Sequence, residues 1–187
     1  LPTPKERQAI NEKELVGLDA ILEKLMTEDA FYGRLKEGFN DVFLTDGYAG
    51  NGELILSYNH FEKSRLWYQK YDLSHIEDKR ERQEAGWDMA RVYRKAIRTE
   101  PLELIAHVVR NNRPFTEIMT ADYIMVSPYS ARGYGIFEQV KDRFKDPENP
   151  FEYLPAKLPA LKARNGKVQE SKTGFYPHAG LFSMFHY

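Results

Sequence analysis

The sequence predicts a mainly α fold, an irregular helical bundle with long loops and a Pro-rich connector. Two patterns carry that reading: apolar side chains recur every three to four positions over residues 11–44 and 76–110, and Gly and Pro cluster between such stretches. A third is the placement of Thr27, Thr99 and Ser127 where helices should start.

Residues 1–10 begin Leu-Pro-Thr-Pro and read as a linker, and 11–145 read as the helical domain. Leu15, Leu18, Ile21, Leu22, Leu25 and Met26 form one face of a first helix over 11–26. Thr27 offers a cap oxygen and Glu28 and Asp29 supply first-turn acids. A second helix over 28–44 then follows, burying Phe31, Leu35, Phe39, Val42 and Phe43 and pairing antiparallel with the first. Three Gly and an Asn within Asp46–Gly52 break it. Leu54-Ile55-Leu56 is too short to classify, and the stretch after His60-Phe61 to Tyr71, with Leu66, Trp67 and Tyr68, reads as a short helix or an irregular aromatic segment. Ile76–Arg98 predicts the longest helix, with Ala85, Trp87, Ala90, Val92, Tyr93, Ala96 and Ile97 inward. Thr99-Glu100-Pro101 reads as the start of a fresh helix through Arg110, since Pro suits a first turn. Glu100 and Glu103 fall on its solvated face. Phe115–Met119 predicts a helical turn, Tyr123–Val126 an extended apolar run, and Ser127-Pro128 the start of a short helix stopped by Gly135. Beyond Lys145, Pro147, Pro150, Pro155 and Pro159 recur, so 146–176 reads as an irregular connector and 177–187 as the start of a following domain. Both ends read as those of a piece of something longer.

Composition narrows the function classes. With 27 Lys and Arg against 28 Asp and Glu, no overall field draws the chain to nucleic acid or an acidic membrane. The basic stretch 157–172 reads as a solvated loop. The absence of Cys removes disulfides, thiolate sites and covalent haem attachment from this segment. No run reaches the ~20 apolar residues that span a bilayer. Aromatics at 13% supply large buried surfaces, core packing being the reading for most of them, and also amphipathic rings able to line an interface or a sugar-binding face.

No His-x-x-x-His spacing occurs among the five histidines. Asp46, Asn51 and Glu53 offer oxygen ligands among glycines but miss the calcium-loop pattern. His60 and His75 could converge on a metal or simply be solvated. His178 and Met184 are haem-ligating residue types, with core packing as the plainer reading.

Arg113-Pro114-Phe115-Thr116-Glu117, then Thr120-Ala121-Asp122-Tyr123 and Ala131-Arg132-Gly133-Tyr134-Gly135-Ile136, form a specific motif. It resembles a planctomycete-type, cytochrome-associated domain of unknown function. The resemblance covers roughly residues 10–137, and in the first half rests on the helical pattern and Phe39-Asn40-Asp41-Val42-Phe43-Leu44. Pro177-His178-Ala179-Gly180-Leu181 resembles the opening of the domain that usually follows. Ser127 stands where that family often has Asn, Gly133 where it often has His, and 138–176 exceeds its usual spacer. The resemblance implies a large exported protein, periplasmic or extracellular, often with a c-type haem domain elsewhere in its chain. It carries over no catalytic residue and no cofactor in this segment.

Within the motif Arg113, Pro114, Asp122, Tyr123, Arg132 and Tyr134 are the candidate residues. An Asp122–Arg132 pair could fix the turn between two helices, or hold a carboxylate or sugar hydroxyl. The expected role is that of a structural or interaction module, with other domains of the same polypeptide, other subunits or further copies of itself as partners. A non-catalytic part of a cytochrome-linked oxidoreductase or of a polysaccharide-processing enzyme is the alternative.

Overall fold

In the computed structural model the described residues are 3–11, 17–47, 61, 63–159 and 180–185. They form a mainly α structure. Pro4, favoured in a first turn, heads α1 (Pro4–Asn11), so a helix stands where a linker was expected. Next come α2 (Gly17–Leu25) and α3 (Asp29–Phe43). Thr27 does not cap α3. Its hydroxyl donates back to the Lys24 carbonyl at 2.7 Å and closes α2, leaving Glu28 at the N-cap with no side-chain bond. Leu44 ends α3 in a left-handed conformation, φ 52°, its N–H on the Asn40 carbonyl.

The long helix α4 (Lys79–Arg110) organises the rest. Asp78 caps it, Oδ1 accepting the Arg80 and Glu81 N–H groups at 2.8 Å each. The expected break at Thr99 is absent: the Thr99 hydroxyl bonds backward to the Lys95 carbonyl, and Pro101 lies inside the helix. An interior Pro costs about 3 kcal/mol. Ile97, Leu104, Ile105 and Val108 around it are fully buried, each worth roughly 1.5–3 kcal/mol, so burial outweighs the break. Trp87, expected inward, is 64% exposed, lying off the helical stripe by which Ala90, Tyr93 and Ile97 face the core.

Ion pairs record an antiparallel packing of α3 on α4: Asp29 with Arg110 at 3.0 Å, Lys36 with Glu103 at 2.8 Å and, just past the end of α3, Asp46 with Arg98 at 3.5 Å. As one partner's number rises the other's falls. Tyr32 alone is fully buried on α3, and Val42, expected inside, is 69% exposed.

After α4, Asn112 turns the chain with φ 49°, and α5 (Glu117–Thr120) leads into strand β1 (Ile124–Val126). Ser127 caps α6 (Pro128–Gly133) by a reciprocal pair, its hydroxyl accepting Ser130 N–H while Ser130 accepts that of Ser127. Gly135, φ 72°, ends this stretch, and α7 (Phe137–Val140) follows. The stretch expected to be irregular beyond residue 146 contains β2 (Leu154–Ala156), antiparallel to β1 with Ile124 opposite Ala156 and Val126 opposite Leu154. Residues 160–179 lie outside the described residues. Leu181, Met184 and Phe185, from the expected following domain, join the same core as Tyr93, Ile97, Ile124 and Tyr134. No helix among the described residues is long and apolar enough to cross a membrane.

Candidate functional site

The motif residues gather into two groups around β1 and α6. In the first, Arg113 Nε pairs with Glu117 Oε2 at 2.9 Å, one helical turn on, and the Tyr123 hydroxyl donates to Glu117 Oε1 at 2.7 Å. Glu117 is thereby shared by a cation and a phenol, and Arg113 also lies 5.6 Å from the Tyr123 ring centre. Burial first, then the bond to the Glu117 carboxylate, pushes the Tyr123 hydroxyl pKa up to about 12. His107 sets its ring edge-on to Tyr123 at 5.7 Å. Burial, with Arg113 nearby, lowers the His107 pKa and favours the neutral ring.

Asp122 is exposed and forms an ion pair with Lys157, not with Arg132. Antiparallel β1–β2 pairing explains the exchange, since it brings residue 157 beside the start of β1. Pro114 is exposed, its carbonyl accepting the Glu117 N–H at 2.9 Å. Arg113, Glu117, Asp122, Tyr123 and Lys157 line a pocket of about 390 Å³ with Arg143, whose guanidinium is held on the Pro155 carbonyl at 2.7 Å.

Arg132 opens the second group. Its guanidinium lies 3.8 Å from the centre of the Phe137 ring and 5.3 Å from that of Trp67, and donates to Glu148 at 3.0 Å and to the Pro128 carbonyl at 3.2 Å. A cation held between aromatic faces and backbone oxygens locks α6 against the 146–148 loop. Beside it, Trp67 packs edge-on against Tyr129 at 5.1 Å and Tyr93 at 5.7 Å. A side chain at Gly133 would run into the Tyr93 hydroxyl, which accounts for glycine there.

Tyr134 is almost completely buried, its ring stacked on Phe185 at 4.0 Å. Its hydroxyl donates to Glu100 Oε2 at 2.8 Å and accepts the Phe185 N–H at 2.8 Å. One phenol therefore links α4, α6 and the 180–185 segment. Glu100, expected on a solvated face, has no exposed surface, and its Oε1 has no hydrogen-bond partner among the described residues. Burial drives its pKa up to about 8, against the opposing effect of the Tyr134 hydrogen bond and the nearby Ser130 hydroxyl. The missed signal was spacing: Tyr93, Ala96, Ile97, Glu100 and Leu104 follow a helical stripe, with a carboxyl in it.

The metal candidates do not converge among the described residues. Asp46 accepts from Asn40 Nδ2 at 3.0 Å and pairs with Arg98, while Asn40 Oδ1 accepts the Thr45 hydroxyl at 2.6 Å and so closes the turn after α3. His75 is exposed. Asn51, Glu53, His60 and the haem-ligand candidate His178 lie outside the described residues. Met184 is buried in the core. No group of three or more His, Asp or Glu that could hold a metal ion occurs among the described residues.

Residues 59–136 match the family model PSD4, described as a protein of unknown function, DUF1592. The match begins ahead of α4 and runs through Ile136, and so takes in both groups apart from Phe137, Arg143, Glu148, Lys157 and Phe185. No curated protein and no solved structure matches the chain.

Proposed function

We propose that this chain, part of which matches an uncharacterised domain family, is a structural and interaction module of a larger exported bacterial protein. The observation that carries the reading is a set of exposed large apolar side chains at the end of α3 and over residues 115–119. Val42 and Leu44 are each 69% exposed, Phe115 is 58% exposed, Met119 is 44% exposed, and Phe39 joins the two stretches by lying 5.9 Å from Phe115. Large apolar side chains left in water favour burial against a partner, each worth roughly 1.5–3 kcal/mol when covered. Other domains of the same polypeptide, other subunits or a second copy would cover it. In support, the charged motif residues Arg113, Asp122 and Arg132 are engaged with Glu117, Lys157 and Glu148, which suits holding a shape.

The test is light scattering after size exclusion at rising concentration, alone and with the remainder of the full-length protein. Association abolished by Val42→Asp supports the reading; a strict monomer with no affinity for the remainder refutes it. Export to the periplasm or cell surface, and a c-type haem domain elsewhere in the same polypeptide, rest on the resemblance of the 113–136 motif alone. An absorbance spectrum of the native full-length protein tests the haem directly, a Soret band being the supporting result.

A further inference from the structure

On another part of the surface an open groove of about 840 Å³ runs between residues 68–74 and the first half of α4. We propose that it binds a neutral oligosaccharide, with a sugar ring stacked on Trp87 and its hydroxyls bonded by Gln69 and Gln83. The size falls within the range of small-ligand sites. Its lining is amphipathic in the way a sugar requires: Trp87, 64% exposed, and Tyr71, 40% exposed, offer flat apolar faces for the C–H side of a pyranose. The amides of Gln69 and Gln83 each both donate and accept, as a hydroxyl rim does.

These groups are available. Gln69, Gln83 and Trp87 have no side-chain hydrogen bond, ion pair or ring contact among the described residues. Two of the charged lining residues, Arg82 and Asp72, are held by the chain's own backbone groups. Arg82 donates to the Ile76 carbonyl at 2.8 Å and 2.5 Å, and Asp72 accepts the Ser74 N–H at 2.9 Å. Those bonds also hold the groove's edge in shape, so the loop needs little ordering when a ligand arrives. Burying Tyr68 beneath the groove fixes its floor. The inference stands apart from the apolar face at the end of α3, since the two share no residue.

The experiment titrates the 187-residue chain with cellohexaose, xylohexaose, maltohexaose and N-acetylchitohexaose, following heat and tryptophan fluorescence. Only two tryptophans are present, and Trp67 packs among tyrosines, so quenching at Trp87 is readable. Expected is saturable binding to at least one sugar below about 1 mM, weakened roughly tenfold or more in Trp87→Ala. Gln83→Ala, an exposed change that leaves the melting temperature in place, should weaken it as well. Binding unchanged in both variants would overturn the proposal. So would silence across the panel, and if Trp87 is then protected from solvent in the full-length protein, the groove belongs to a polypeptide partner.

Discussion

Raising the pH from mildly acid to mildly alkaline should destabilise this protein through one side chain. Glu100 is completely buried, and its neighbours there are the hydroxyls of Ser130 and Tyr134. Its pKa is about 8 in the folded state against 4.5 unfolded, so the folded state holds the proton more tightly. Below about 4.5 both states are protonated and the full stability is present. Between 4.5 and about 8 the unfolded chain releases a proton that the folded one keeps, and stability falls with rising pH. At about 1.4 kcal/mol per pH unit the whole interval is worth on the order of 5 kcal/mol. For a chain of this size that is roughly 10–20 °C in melting temperature. His107 works the other way, since its lowered pKa adds stability as pH rises through the usual histidine range. The assay is therefore a comparison. Thermal unfolding followed by circular dichroism at several pH values should show a falling curve for the native chain and a distinctly flatter one for Glu100→Gln, which keeps an acceptor for Tyr134 but cannot ionise. The variant should be the more stable of the two near pH 8. Equal slopes in the two proteins would refute the burial argument.

Further outcomes follow from the same contacts. Tyr134→Phe leaves Glu100 Oε2 and the Phe185 N–H without their phenol and should cost about 1–3 kcal/mol by urea unfolding. Arg132→Lys keeps the charge but loses the planar fork on Phe137, Glu148 and the Pro128 carbonyl; about 1–2 kcal/mol is expected by the same measurement. Gly180 has φ 55°, its N–H lies 2.7 Å from the Ala121 carbonyl, and a side chain there would meet the Ile118 carbonyl. Gly180→Ala should therefore release residues 180–185, seen as faster proteolysis at that end, with amide protection of α4 largely kept.

The parts of this fold that sequence reading reached are those decided locally. The Ser127-Pro128 start of α6 is a four-residue event, and the apolar run at 124–126 needed only a partner to become a strand. Where distant contacts decide, local rules failed. Pro101 ordinarily opens a helix, yet Ile97, Leu104 and Ile105 burying on both sides of it carry α4 straight through. A carboxyl ordinarily faces water, yet Glu100 shares a stripe with Tyr93 and Leu104 and goes inside with them. Trp87 sits on α4 out of phase with the stripe that Ala90, Tyr93 and Ile97 turn to the core, and so stays in water. For the site, the motif residues Arg113, Asp122, Tyr123, Arg132 and Tyr134 each make specific contacts, and Asp122 pairs with Lys157 where Arg132 was the expected cation. Lys157 lies 35 residues away and reaches it only because β2 pairs with β1. Nothing in the local sequence records such a register.

The claim that α3 presents a face to a partner is tested most directly by deuterium exchange, comparing the 187-residue chain with the full-length form of the larger protein proposed above. The account predicts slower exchange over residues 39–47 and 111–120 in the full-length protein, with the core of α4 alike in both. Identical exchange over those two stretches would contradict it.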